Sequence, residues 1–341
     1  MKKEDWDMQN KNVKEIINEA LLVSKTDLRK KIQKIVKEIE IVIKDNEKLI
    51  KEANQIDLKN NNGFLLDFDV INRIFSNLEK ENYFYKDILK EEKEEKEEIV
   101  YGKELVDYGN VVTINDGNSY VILEMALKNI KAGNTNIFFN KGYMCGTNKL
   151  LIILIQSVLE KNDVSSNLVQ MFVGNDYEEI LSNYANIDLV IVVGNRSLQN
   201  EVLSKSKNKV ITSGYDNFEI YLEDLTNLEF IKKIMNLGLN VELYVNSDIN
   251  VDIDEKISVD SLEEGIAKIN YNGSLYSSAI FTNNSNNASL FLEKIKANNV
   301  TVNVSPTLMR VIDIKQVDLM KEKTVIYPFK HKLDGTSLKF K

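Results

Sequence analysis

The run "IDLVIVVG", residues 187–194, limits the fold more than any other stretch of this chain. A strand with one face in water alternates apolar and polar side chains. A continuous apolar run signals burial on both faces, as in a parallel sheet covered by helices. The neighbouring segments agree. "NVVTI" and "NTNIFFN" read as strands, and "SYVILEMALKNIKA" as an amphipathic helix closed by Gly133. "TNKLLIILIQSVLEK" reads as a helix with an unusually apolar face, and "NLVQMFV", "NKVITS" and "FEIYL" as further strands. Alternating strands and helices predict an α/β fold, a doubly wound parallel sheet of Rossmann-like type. Gly142, Gly174, Gly194 and Gly214 fall at or near strand ends. That is the edge at which such sheets bind ligands.

The rest of the chain falls into place around this unit. Residues 12–54 carry apolar side chains at three- and four-residue steps, the mark of helix, so residues 1–225 read as a helical lead-in plus a dinucleotide-binding-like domain. Within it, "KEEKEEKEE" (90–98) reads as a solvated helical or frayed connector. Residues 226–305 read as a smaller second α/β domain. There, "ISVDSLEEGIAKINYNG" is a strand, a turn and a helix with Asp260 or Ser261 as N-cap. The tail, 306–341, has weak pattern; "TVIYPF" reads as an edge strand, where Pro328 is tolerated.

Composition excludes several function classes. The 341 residues are enough for two domains with cores of their own. A formal net charge of −8 speaks against nucleic-acid binding over a broad surface. No run approaches the roughly 18 apolar residues of a membrane span, and "MKKEDWDMQNKN" has no signal-peptide core, so a cytoplasmic protein is expected. One cysteine rules out an internal disulfide and suits a reducing compartment. One histidine, His331, rules out a His-rich metal site. G-x-G-x-x-G, G-x-S-x-G and H-E-x-x-H motifs are absent, and "GYMCGTNK" lacks the P-loop spacing. Cys145, in "NKGYMCGTNK", has two readings: a nucleophile, or a small inert residue in a turn before a helix whose N-terminus would lower its pKa.

The order of the segments carries a resemblance. "DNEKLIKEANQIDLKNNNGFLLD", "YGNVVTIN…ALKNIKAGNTNIFFNKGYMCGTN", "IDLVIVVGNRSL", "VITSGYDNFEIYLEDLTNLE" and "ISVDSLEEGIAKINYNGSLYSSAIFTNNSNNASLFLEKIKANNVTVNVSPT" resemble, in that order, segments of the gamma-glutamyl phosphate reductase family. That family is also called glutamate-5-semialdehyde dehydrogenase and belongs to the aldehyde dehydrogenase superfamily. The resemblance runs collinearly over residues 30–305 and implies an aldehyde dehydrogenase-like fold with a reduced second domain.

The departures are as informative. The family's nucleophilic cysteine follows the Asp-bearing strand on a loop; "IYLEDLTNLEFIKKIMNLGLNVELYV" passes that point without the loop. Its oxyanion-stabilising Asn belongs to an Arg-Pro-Asn motif. "NDGNSYV" stands there, with Tyr120 at the aligned position and Asn118 two residues away. Catalytic candidates are therefore Cys145 and Asn118 alone. "PTLMRVIDIKQ" replaces later glycine- and Arg-rich motifs.

On the cofactor side, the resemblance places Lys141, Gly142, Gly194, Asn195 and Gly214 at the NADP-binding edge, with single glycines where the family has two. The glycines have a second reading, as strand-end turns and nothing more. The residues alone imply no cofactor; the resemblance implies NADP. The expectation is a pseudoenzyme that acts as a binding, scaffold or regulatory protein. Its partner would be a second copy, through strands near 97–106 and "TVIYPF", or a full-length family member. The alternatives are an NADP-dependent glutamate-5-semialdehyde dehydrogenase of proline biosynthesis with an altered site, and a nucleotide-binding sensor.

Overall fold

Four helices lead into the fold: α1 (Val13–Leu21), α2 (Leu28–Asp45), α3 (Glu47–Lys59) and α4 (Phe68–Lys80). In α2 the residues Leu28, Ile32, Ile35, Ile39 and Ile43 are buried, at steps of four and three that form one stripe. Asn12 and Glu15 close a capping box at the start of α1. A computed structural model describes residues 12–328 of the chain, except 24, 26–27, 61–62, 95–98, 141–143, 175–176, 236–239 and 310–311.

A hairpin of β1 (Ile88–Glu94) and β2 (Ile99–Asp107) comes next. Then β3 (Asn110–Asn115), α5 (Ser119–Ala132), β4 (Thr135–Asn140), α6 (Cys145–Lys161), β5 (Val169–Val173), α7 (Glu178–Leu181), β6 (Leu189–Val193), α8 (Arg196–Lys205) and β7 (Val210–Ser213) form the first parallel sheet and its helices. Its strand order is β5-β4-β3-β6-β7. A second unit follows: β8 (Asn217–Leu222), α9 (Leu228–Met235), β9 (Asn240–Asn246), β10 (Lys256–Val259), α10 (Leu262–Asn272), β11 (Ser277–Phe281), α11 (Ser285–Lys294) and β12 (Asn299–Val302). Its order is β10-β9-β8-β11-β12, all parallel. Each sheet starts at its centre, winds out to one side, and returns to wind out to the other. Both therefore have the doubly wound topology, with a switch point beside the first strand. The α/β class with a doubly wound parallel sheet expected from the sequence is the class observed.

Three expectations need correction. The strand 217–222 was expected in the first unit, which was to end at 225. It is instead the centre of the second sheet, bonded to β9 and β11, so the units meet near Gly214–Asp216. "KEEKEEKEE" is not a helical connector where it is described: 88–94 is a strand, paired antiparallel with 99–104. Lys and Glu favour helix in isolation, and cross-strand pairing overrides that weak preference. The tail is not patternless. β13 (Met320–Pro328) pairs with β2 of the same chain, from Met320↔Asp107 to Pro328↔Ile99. β1, β2 and β13 make a third, antiparallel sheet.

Helix α5 joins the parts. All fourteen of its residues are buried, Glu124, Lys128 and Lys131 included. It ends at Gly133, whose φ of 75° is the left-handed cap conformation, and a Cβ there would lie 2.7 Å from the Tyr85 ring. Lys128 Nζ lies 3.1 Å from Glu124 Oε1 and 3.2 Å from Glu81 Oε1, and donates to the Ile314 carbonyl at 2.6 Å. Gln316 returns a bond to the Lys128 carbonyl and donates its backbone N–H to Glu81. These contacts bind the strap 312–319 to α5. Asp313 of the strap accepts from Ser213, at the end of β7, and from Asn298, just before β12, and so links the two sheets.

Removing one member of a buried charge cluster leaves the other without a partner, at a cost of about 3–5 kcal/mol. Lys128→Met is expected to lose stability on that scale in urea denaturation. The double variant Glu124→Leu/Lys128→Met is expected to recover most of it.

Candidate functional site

The carboxyl edge of the first sheet faces the amino edge of the second, with Asn195 and Arg196 on one side and Asn217 and Asn240 on the other. At the end of β3, Asn115 Oδ1 accepts from Gly117 N at 2.6 Å, which tightens the turn into α5. Asn118 is the N-cap of α5. Its Oδ1 accepts from Tyr120 N at 2.9 Å and its Nδ2 donates to Asp216 Oδ2 at 2.9 Å. The candidate oxyanion donor is thus a helix cap tied to a buried carboxylate. Asp116 reaches solvent but is crowded by protein; burial, and then the neighbouring Asp216 charge, push its carboxyl above the usual range.

At the end of β4, Cys145 is the first residue of α6, and its Sγ lies 3.8 Å from Asn140 Nδ2. The backbone N–H groups of this helix start are already in use. Asp57, a buried residue of α3, accepts from Gly146 N at 3.2 Å, Thr147 N at 2.8 Å and Thr147 Oγ1 at 2.7 Å. A helix N-terminus attracts an anion through its free N–H groups and dipole. Here the anion is the chain's own side chain. Lys141 and Gly142, expected to touch a cofactor, lie outside the described residues. Asn115 Nδ2 and Asn140 Oδ1, on adjacent strands in register, have no hydrogen-bond partner. The two residues are 1% and 0% exposed, so these atoms are sealed from solvent.

The other two glycine positions act in packing. A Cβ on Gly214 would lie 2.7 Å from the Ser274 carbonyl oxygen and 2.9 Å from Tyr276 Cβ, so this residue lets the crossing between the sheets pass close to 274–276. Gly194 precedes α8, whose cap is Asn195. The Asn195 Oδ1 accepts from Leu198 N at 3.0 Å. Beyond Asn195 and Arg196 a cavity of about 270 Å³ opens between the sheets, and its far wall carries Glu219, Glu242 and Glu255. Glu219 is 2% exposed and accepts from Ser274 N at 2.7 Å, Ser274 Oγ at 2.9 Å and Ser278 Oγ at 2.9 Å. Burial pushes its carboxyl up to about 7 against those hydrogen bonds, and Glu242 adds to the rise.

The described residues of this cleft do not fit a dinucleotide diphosphate. The start of α6 is filled by Asp57, the start of α8 is partly self-capped, and the wall facing α8 carries carboxylates that repel phosphate. Among the described residues no group of three His, Cys, Asp or Glu side chains is arranged to hold a metal ion. Sequence reasoning missed Asp57 and Glu219. Glu219 had a signal, as the one charge inside the apolar run "FEIYL". Asp57 had none, since it meets α6 across 89 and 90 residues of chain.

No protein-family model matches the chain. In sequence it is 26% identical over 259 residues to the gamma-glutamyl phosphate reductase of Oenococcus oeni, covering 60% of this chain and 62% of that protein. It is 24% identical over 262 residues to that of Petrotoga mobilis, covering 61% and 63%. The chain thus spans less than two thirds of the length of these curated relatives. In structure it is similar to the gamma-glutamyl phosphate reductase of Thermotoga maritima, with a TM-score of 0.61, 17% identity, and coverage of 95% of this chain and 100% of that one. It is also similar to betaine aldehyde dehydrogenase of Staphylococcus aureus, with a TM-score of 0.69, 12% identity, and coverage of 97% and 90%. The structural likenesses establish the fold.

Asp57→Ala removes three hydrogen bonds to a charged acceptor and leaves buried N–H groups unpaired. A loss of about 1–3 kcal/mol is expected in chemical denaturation.

Proposed function

We propose that this chain, a relative of the gamma-glutamyl phosphate reductases with an aldehyde dehydrogenase-like fold, is a non-catalytic binding or scaffold protein. One observation carries the reading. From β8 the chain passes through a short 3-10 turn, 225–227, directly into α9, where the resemblance implies a nucleophile loop. The two remaining catalytic candidates support it. Asn118 uses its side-chain oxygen as a helix cap and its amide on Asp216, so neither is arranged around a reacting carbonyl. Cys145 stands at a helix start in the first parallel sheet's layer, beside Asn140, away from the point after β8 where the resemblance implies the nucleophile.

A scaffold needs a surface. Among the described residues β13 is an edge strand of the antiparallel sheet, and an edge strand is a template for pairing with a further strand. We place the partner there: a second copy of this chain or a full-length relative. Among the described residues no helix is long and apolar enough to cross a membrane. A cytoplasmic setting, with a single cysteine and no disulfide, belongs to the same proposal.

The test is an assay of the purified chain with glutamate-5-semialdehyde, phosphate and NADP, followed by absorbance of the reduced nicotinamide. No turnover above the protein-free rate is expected. Turnover that disappears in Cys145→Ser would overturn the proposal in favour of an altered but active reductase.

A further inference from the structure

We propose that the cavity between α2, α4 and the last turn of α5 binds a small monocarboxylate with an apolar tail. Its volume is about 220 Å³. Val36 from α2, Phe75 and Leu78 from α4, and Phe84 supply apolar walls, and Lys131 from α5 supplies an ammonium. Lys131 and Asn118 lie at opposite ends of α5, about 20 Å apart by the rise of an α-helix, so this cavity is separate from the cleft between the sheets.

Lys131 is 3% exposed, and among the described residues it meets no carboxylate at ion-pair distance. It donates to the Leu78 carbonyl at 2.8 Å and to the Glu81 carbonyl, and lies 4.8 Å from the centre of the Phe84 ring. These groups solvate a positive charge without neutralising it. The nearby carboxylates are committed elsewhere. Glu81 holds Lys128 Nζ at 3.2 Å and the Gln316 N–H, and Asp87 holds Arg29 at 2.7 Å and the Phe84 N–H. Burial pushes the Lys131 amine below its usual range against the pull of Glu81, as expected of a charge short of an anion.

Buried charges in a folded chain are ordinarily paired. A carboxylate entering the cavity would be the missing partner, and its tail would replace water along Val36, Phe75 and Leu78. The remaining charges of the lining do not take that role. Glu40 pairs with Lys44, while Lys37 and Glu79 are exposed and of opposite sign. This reading is independent of whether the chain catalyses anything.

The test is titration calorimetry of the full chain with phenylacetate, with phenylacetamide as the neutral molecule of the same shape. Saturable binding of the carboxylate is expected, with the amide at least about tenfold weaker, the scale of one charge contact. Lys131→Gln is expected to weaken phenylacetate by a similar factor. Val36→Glu, which sets a carboxylate on the half-buried wall and leaves the lysine in place, is expected to do the same. Circular dichroism of each variant checks that the fold is kept, and Val36→Glu keeps the test decisive if Lys131→Gln does not fold. No saturable binding, equal binding of the amide, or full-strength binding in a folded variant would each overturn the inference.

Discussion

The ammonium of Lys128 holds this architecture together. It sits on α5, a helix buried along its whole length, and balances Glu124 one turn away and Glu81 from the lead-in. Lys128 and Glu124 are buried and tolerable only as a pair, while Glu81 keeps partial contact with solvent. Once complete, the set offers a donor to the Ile314 carbonyl and a carboxylate to Gln316 N. That fixes the strap, and the strap in turn fixes Asp313 between Ser213 and Asn298 and carries the chain into β13. Lead-in, first sheet, second sheet and antiparallel sheet thus share one electrostatic anchor. Burial of Glu124 raises its carboxyl pKa despite the lysine beside it, so desolvation is the largest influence on that group.

The two parallel sheets have the same winding, and the cleft between them lies at the carboxyl edge of the first, where sheets of this topology bind ligands. In this chain the polar groups of the cleft are largely committed to one another. Asp57 occupies the start of α6, Asn195 caps α8, and Asn118 joins the start of α5 to Asp216. Of the positions that sequence resemblance implies for a cofactor, Asn195 caps α8 and Gly214 lets the crossing between the sheets pass close to 274–276. What stays open is the cavity by Glu219, between Arg196 on one side and Glu242 and Glu255 on the other.

Much of this was legible in the sequence because it is local. Leu189–Val193 are all buried, as an unbroken apolar run requires, and Ser261 caps α10 where a Ser-x-x-Glu pattern pointed to Asp260 or Ser261. The rest depends on partners distant in sequence. Residues 217–222 look alike whether they end one sheet or begin the next; only pairing with Ser277–Phe281 and Asn240–Val245 decides. The charged stretch before residue 95 is a strand because 99–104 lies against it, not because of its composition. Asp57 reads as an ordinary helix-surface acid until α6 is placed over it.

The central claim is that the fold is kept while its cofactor edge is closed by the chain's own side chains. Hydrogen exchange of the full chain, with and without millimolar NADP, tests it most directly. The account expects no change in protection at residues 144–147, where α6 starts, or at 194–198, where α8 starts. Added protection at both helix starts, rising saturably with nucleotide, would contradict it.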